Sequence, residues 1–233
     1  MANSATWPKQ RTPLTPQQDA ALEDWYEVFL RTVLTDNYGW IERFNDRYAL
    51  RSAVPSARTL EIGPGNGSHL KVEDLSAHEE YVALELRPFL SDQISQQPHL
   101  KVVVGDCQAR LPFEDDAFDR VLAIHVLEHL DNLPAALEEV ARVLRPSGLF
   151  SVVIPAEGGA AYALGRRATV QRKFEKRYQI PYKDVIRYDH INTAREVLGE
   201  LRRIFRVKHR TFFPTLLPSV DLNVVIGLTL SLR

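Results

Sequence analysis

Residues 60–70 read LEIGPGNGSHL, a short apolar run that ends in three glycines, Gly63, Gly65 and Gly67, with an acid, Glu61, two places before the first. Glycines at this spacing let the chain turn sharply and let a ligand approach the main chain closely. A nicotinamide-binding turn carries G-x-G-x-x-G, and here Ser68 stands after Gly67, so that spacing fails. An acid does follow at the expected remove: Glu85, at the end of the next apolar run, can accept both hydroxyls of a ribose. Glu61 would repel a pyrophosphate in a partly buried cleft and would attract an ammonium. The ligand that combines a nucleoside, a cationic centre and an α-amino group is S-adenosylmethionine.

Outward from this turn the chain alternates strands and helices. The runs RTLEI (58–62), EYVALEL (80–86), KVVVGD (101–106), FDRVLAIHV (118–126) and LFSVVIP (149–155) are rich in Val, Ile and Leu, as strands covered on both faces are. LPAALEEVARVLRPSG sets Leu133, Leu137, Val140 and Leu144 on one helical face and closes on a stop signal, RPSG. Thr193 with Glu196 three places on is a capping box for a later helix. FRVKHRTFF (205–213) and LNVVIGLTLSL (222–232) follow with no helix between them, which predicts an antiparallel pair at the sheet's end. The pattern is α/β and doubly wound. Ahead of it, Leu22, Trp25, Tyr26, Phe29, Leu30 and Val33 repeat at helical spacing, and YGWIERFNDRYAL continues in kind. The opening residues, MANSATWPKQRTPLTPQQ, read as a frayed polar start without a signal peptide.

Composition bounds the class. At 233 residues, 45% hydrophobic and 25% charged, the chain is an ordinary globular one. A single cysteine, Cys107, excludes an intramolecular disulfide and suits a reducing, cytoplasmic setting. No apolar run approaches the ~20 residues of a membrane span, so the expectation is a soluble or at most peripheral protein. The net charge of -1 conceals an asymmetry: residues 1–155 carry 14 Lys and Arg against 23 Asp and Glu, residues 156–233 carry 15 against 7. Either the basic segment steers an anionic partner or it packs beside the acidic one.

With these blocks in order, the sequence from about Arg58 to Pro155 resembles the class I S-adenosylmethionine-dependent methyltransferases, in particular the methyltransferase type 11 group. LEIGPGNG is similar to the family's first motif and VALELRP to its acidic second strand. VVGDCQARLPFEDDAFDRVLAIHVLEHL and EEVARVLRPSGLFSVVIP resemble the later motifs. The resemblance implies a Rossmann-like, mostly parallel seven-stranded sheet with an antiparallel last strand and helices on both faces. It divides the chain into an N-terminal helical lid (1–55), a cofactor-binding core (56–155), a basic cap (156–192) and a C-terminal helix with the strand pair (193–233).

Carried over residue by residue, it implies that Glu61, Gly63, Pro64, Gly65 and Gly67 surround the methionine end and that Glu85 holds the ribose. Asp106 would accept from the adenine amino group beside the Cys107 backbone, with Leu86 and Leu111 as apolar walls. His125 matches the position facing the methyl group. It reads as a base or as pocket lining, since methyl transfer needs alignment and, for a hydroxyl acceptor, removal of a proton. Asp106 also reads as a turn former, Cys107 as a buried filler, and Glu128 with His129 as a helix start or as reactant contacts. In the cap, His190 beside Asp189 reads as a second candidate base or as a surface histidine.

Arg166 and Arg172 in the basic run suggest a phosphate- or carboxylate-bearing acceptor, with Tyr182 and Tyr188 lining its pocket. The expected reaction is O-methylation of a small or medium anionic acceptor, such as an acidic or phosphorylated sugar, a glycan end or a lipid head group. The aromatic residues Trp25, Tyr26, Phe29, Trp40 and Phe44 suit a hydrophobic acceptor such as a quinone instead, methylated on carbon or nitrogen. A non-catalytic cofactor-binding protein is the third reading. No nucleic acid partner and no metal are expected, because neither a recognition module nor a cluster of ligands at metal spacing is present. A monomer or a homodimer is anticipated.

Overall fold

The computed structural model describes residues 6–28 and 39–233. Phe29, Leu30 and Val33, which the helical pattern would place in the first helix, lie outside the described residues.

Seven strands form one sheet in the order β3-β2-β1-β4-β5-β7-β6. They are β1 (Arg58–Ile62), β2 (Glu80–Glu85), β3 (Leu100–Val104), β4 (Phe118–Ile124), β5 (Leu144–Pro155), β6 (Phe205–Phe213) and β7 (Val225–Leu232). Pairs from β3 to β5 are parallel; β7 runs antiparallel to both β5 and β6. β7 is therefore the interior member of the antiparallel pair expected at the sheet's end, and this explains its apolar sequence: its first six residues are all buried, whereas five successive residues of β6 are exposed. β5 begins at Leu144, directly after the helix that precedes it, so the RPSG expected as a helix stop is taken into the strand.

Among the described residues the α-helices are α1 (Pro16–Val28), α2 (Gly39–Tyr48), α3 (Pro88–Ile94), α4 (Leu133–Val143), α5 (Ala160–Ala168), α6 (Val170–Tyr178), α7 (Tyr182–Asp189) and α8 (Ala194–Ile204). Leu133, Leu137 and Val140 of α4 and Val197 and Leu201 of α8 bury one face of the sheet together with Leu60, Ile62, Val121 and Phe150. α8 starts on the capping box, with both reciprocal bonds between Thr193 and Glu196 present. Residues of α2 and α3 cover the other face, where Tyr48 lies so close to Gly227 that a methyl group there would meet its ring at 2.5 Å. Between β1 and β2 there is no α-helix, only two 3-10 turns, His69–Lys71 and Leu75–Ala77.

α1 and the cap make a second core. Ala21, Leu22 and Trp25 pack on Phe174, Tyr182, Val185 and Ile186, with the Trp25 ring edge-on to Phe174 at 5.5 Å. Of the aromatic residues that suit a hydrophobic acceptor, Trp25 lies in this core and Phe44 stacks on Phe213 at 4.8 Å, whereas Trp40 is half exposed.

Within the stretch expected to be frayed, Trp7, Lys9 and Arg11 are tied down. Trp7 packs on the main core, the Lys9 main chain bonds to Asp131, and its ammonium reaches Glu196 at 2.7 Å. Arg11 binds the Asp131 carboxylate at 2.7 Å and donates to the carbonyls of Tyr188 and His129. A strap of polar residues is stable here because each cation finds partly buried acceptors.

Candidate active site

The sheet order reverses between β1 and β4, and ligands of open α/β sheets bind at such a point, beyond the carboxyl ends of the strands. The glycine turn stands there. Gly63, Gly65 and Gly67 all have positive φ, at 61°, 57° and 71°, the left-handed region that an L side chain enters only under strain. Space adds to the requirement at Gly63, where a Cβ would sit 2.7 Å from Val126. Around Gly65 a Cβ would meet nothing within 4 Å, so its main chain borders open space.

Glu85 ends β2 as a 5% exposed carboxylate bound to the turn itself: Gly65 N–H donates to Oε2 at 3.2 Å and Arg87 N–H to Oε1 at 3.0 Å. Glu61 is 2% exposed and accepts the Tyr81 hydroxyl at 2.7 Å; burial pushes its carboxyl above the usual range. Pro64 is buried in the turn. Asp106 is half-buried, and its Oδ1 accepts from Gln108 N–H at 2.9 Å, so it does build a turn. Burial pushes the Cys107 thiol up to about 12, which removes it as a nucleophile near neutral pH. The two expected adenine walls separate: Leu86 is exposed, whereas Leu111 is buried in the main core.

Beyond β4 the chain holds His125 at φ 53°, its N–H bonded to Val153 O. Glu128 Oε1 lies 3.2 Å from His125 Nδ1, and His125 Nε2 is buried without a partner. Glu128 is 1% exposed, and its second oxygen, Oε2, is also buried without a partner. Burial would raise the Glu128 carboxyl, but the bond from His125 and the charges of His129 and His190 outweigh it and hold it below the usual range.

The cap closes on this turn. Asp189 Oδ1 stands 3.1 Å from His129 Nδ1 and accepts the Tyr26 hydroxyl from α1, while Glu157 Oε2 stands 3.1 Å from His190 Nδ1. Asp189 is thus the partner of His129, and Glu157, not Asp189, orients His190; Asp189 is 3.7 Å from the far side of the His190 ring. His190 is 14% exposed, so it is no surface histidine. The rings of His129 and His190 meet edge to face at 4.9 Å. One donor atom each from Glu128, His129 and His190 lies within 4.8 Å of the others, a grouping that sequence spacing could not reveal because sixty-odd residues separate its parts.

The basic run does less than expected. Arg166 is 20% exposed and donates to Glu157 at 2.5 Å, with its guanidinium over Tyr162. Arg172 is exposed on α6, and Arg177 pairs with Asp24. Tyr182 is buried against Phe174, and Tyr188 carries the Arg11 guanidinium over its ring at 5.1 Å. Signals for Glu128 and His129 existed in the VLEHL motif; Glu157 and the Arg11 strap had none.

Residues 60–152 match the family model described as a methyltransferase domain. Over 110 residues the chain is 37% identical to a probable phthiotriol/phenolphthiotriol dimycocerosates methyltransferase 2 of Mycobacterium ulcerans, covering 45% of this chain and 42% of that one. Over 114 residues it is 40% identical to a demethylmenaquinone methyltransferase of Mycobacterium tuberculosis, covering 44% and 45%. The aligned stretch thus spans less than half the length of either relative. Among solved structures, the N-methyltransferase NodS from Bradyrhizobium japonicum, in complex with S-adenosyl-l-homocysteine, superposes with a TM-score of 0.64 at 16% identity, over 93% of this chain and 99% of that one. The PH0226 protein from Pyrococcus horikoshii gives 0.61 at 16% identity, over 89% and 99%. At such identities these two speak for the fold. No helix among the described residues is long and apolar enough to cross a membrane. The likeness to a methyltransferase domain is thus carried by residues 60–152, from the glycine turn to the middle of β5.

Proposed function

We propose that this protein transfers the methyl group of S-adenosylmethionine to an oxygen of a small or medium hydrophobic acceptor. The observation that carries the reading is the juxtaposition at the switch point: the positive-φ glycine turn bound to Glu85 on one side, and His125 with a free Nε2 on the other. Each Glu85 oxygen accepts one main-chain N–H and keeps a lone pair for a ribose hydroxyl. The open main chain at Gly65 receives the methionine end. Asp106 keeps an oxygen for the adenine amino group.

Glu128 fixes the His125 ring by its Nδ1, which leaves Nε2 as the atom that takes the acceptor's proton. The S–CH3 bond breaks as the O–CH3 bond forms; the proton of the hydroxyl passes to His125, and S-adenosylhomocysteine leaves. The sulfonium needs no acid to depart, so alignment and this proton are the enzyme's tasks.

The acceptor expected from the basic run was anionic. Arg166, the residue of that run engaged at the site, is neutralised by Glu157, and Tyr162 and Tyr182 lie under its guanidinium. A hydrophobic, hydroxyl-bearing acceptor fits these surroundings better, and the relatives' names, a phthiotriol lipid and a menaquinone precursor, point the same way. Methylation at carbon of a quinone-like ring is the second reading, favoured by the demethylmenaquinone enzyme's likeness.

Calorimetry with S-adenosylmethionine and S-adenosylhomocysteine tests the cofactor: wild type binds both in the micromolar range, and Glu85→Ala weakens binding at least ten-fold. A wild type that binds neither sinks the reading. A methyl-transfer assay with hydroxylated lipid and quinol acceptors against acidic sugars tests the acceptor. Turnover of the sugars alone, lost in Arg166→Ala, restores the anionic one.

A further inference from the structure

We propose that Glu128, His129 and His190 bind one divalent transition-metal cation of the Zn2+ or Co2+ kind, under the cap at the end of β4. The donor set is two imidazoles and one carboxylate, and one donor atom of each lies within 4.8 Å of the other two. A bound cation at ~2.1 Å from each donor would draw them to about 3.4 Å of one another, a shift of side chains and not of the backbone.

Three features mark this as a built site. Both histidines have Nδ1 held by a carboxylate, Asp189 for His129 and Glu157 for His190, which fixes each ring and presents Nε2; metal-binding histidines are commonly oriented in this way. His129 Nε2 lies 4.0 Å from Glu128 Oε1, and His190 Nε2 is 3.7 Å from its nearest carboxylate, so hydrogen bonds do not already consume them. The Glu128 side chain is 2% exposed, yet Oε2 has no partner. A buried carboxylate oxygen with nothing to accept is costly unless a cation completes it.

The backbone holds these ligands in place. Glu128 and His129 sit on the 3-10 turn Leu127–His129. Asn192, fully buried and two residues from His190, donates its side-chain amide to Leu127 O at 2.8 Å and Leu130 O at 2.7 Å, and its N–H to Glu128 O at 3.0 Å. One residue thereby locks the two halves of the ligand set together. Arg11 secures the same turn and cap through the carbonyls of His129 and Tyr188.

Two nitrogen donors and one oxygen favour zinc and its transition-metal neighbours over magnesium or calcium, which prefer oxygen alone. Three protein ligands leave a coordination position open. Its use to hold an acceptor oxygen rests on the methyl-transfer reading; the binding of the cation does not.

The test is titration of the metal-free protein with Co2+, followed by visible absorption, with Zn2+ as competitor. Wild type is expected to take up one Co2+ per chain, with the intense bands of a four- or five-coordinate site that Zn2+ abolishes and millimolar Mg2+ leaves untouched. Glu128→Gln and His190→Ala are each expected to weaken uptake at least ten-fold while still binding S-adenosylhomocysteine, which separates loss of the metal site from loss of the fold or of the cofactor site. A wild type that shows only the weak spectrum of hydrated Co2+, with no equivalence point, overturns the proposal whatever the variants do. So does uptake that both variants retain.

Discussion

Two clusters of buried charge flank β4, and they are finished differently. On the face covered by α2, Arg120 of β4 is 1% exposed and each of its three nitrogens is bonded: Nε donates to Ser52 at 3.0 Å, NH1 and NH2 to Glu73 at 3.0 and 3.1 Å, and NH2 also to Ala49 O at 2.6 Å. Glu73 in turn lies 2.9 Å from His69 Nε2 and 3.0 Å from His78 Nε2. At the end of the same strand, Glu128 and His125 meet each other and leave one buried atom apiece without a partner. The same residue types occur in both. At Arg120 the guanidinium at the hub finds an acceptor for every nitrogen, which serves the fold, whereas at Glu128 the hub carboxylate itself keeps an oxygen that a ligand can complete.

The sharpest way to break that contrast is to remove the hub of the satisfied cluster. Arg120→Met should cost about 3–5 kcal/mol in denaturant unfolding, because it strands a buried Glu73. An effect below about 1 kcal/mol would mean that the network is ornamental. Glu73→Gln should likewise destabilise by a few kcal/mol, while Glu128→Gln stays within about 1 kcal/mol, since one of its oxygens has no hydrogen bond to lose. Equal losses in the two variants would erase the distinction.

Gly63→Ala tests the cofactor side. The left-handed backbone costs about 1–2 kcal/mol for any L side chain, and the 2.7 Å approach to Val126 adds to it, so S-adenosylhomocysteine affinity should fall at least ten-fold by calorimetry. Unchanged affinity would show that the turn's conformation is not what the cofactor reads.

The smallest effect is one of pH. Burial would raise the Glu73 carboxyl, but bonds from His69, His78 and Arg120 hold it well below the usual range. Its contribution to stability is therefore present above its unfolded value of about 4.5 and fades as the pH falls below that. His69 goes the other way: burial opposes its charge, but Glu73, Glu61 and the Asp46 carbonyl raise it above 6.5, so its contribution is full below 6.5 and is lost as the pH rises through the raised value. Glu61, whose carboxyl burial raises, contributes with the opposite sign to Glu73. Unfolding curves of wild type and His69→Gln should therefore converge from pH 6 to pH 9. A constant gap across that range would deny the ion pair.

Much of the cofactor side was legible in the sequence, and little of the cap was. The glycine turn, the strand-end Glu85 and the capping box at Thr193 were each read from a few neighbouring residues, and the structure has the turn at positive φ and the box intact. Readings failed where a residue's environment came from far along the chain. Arg166, read as a contact for an anionic acceptor, is paired with Glu157; His190, read as a base or a surface group, is 14% exposed under the cap; and Lys9 and Arg11, read as part of a frayed start, meet Glu196 and Asp131.

The sequence by itself determined the alternation of strands and helices, the reversal at the last strand and the conformation of the glycine turn, because each depends on side chains and backbone dihedrals within a few residues. Tertiary structure alone decided that β7 lies inside the sheet, that Asn192 clamps the turn holding Glu128, and that His129 meets His190. β7 gains its place by pairing with β5, some seventy to eighty residues earlier in the chain, and the other two are contacts across sixty or more residues that the packing of the cap against the end of β4 brings within reach.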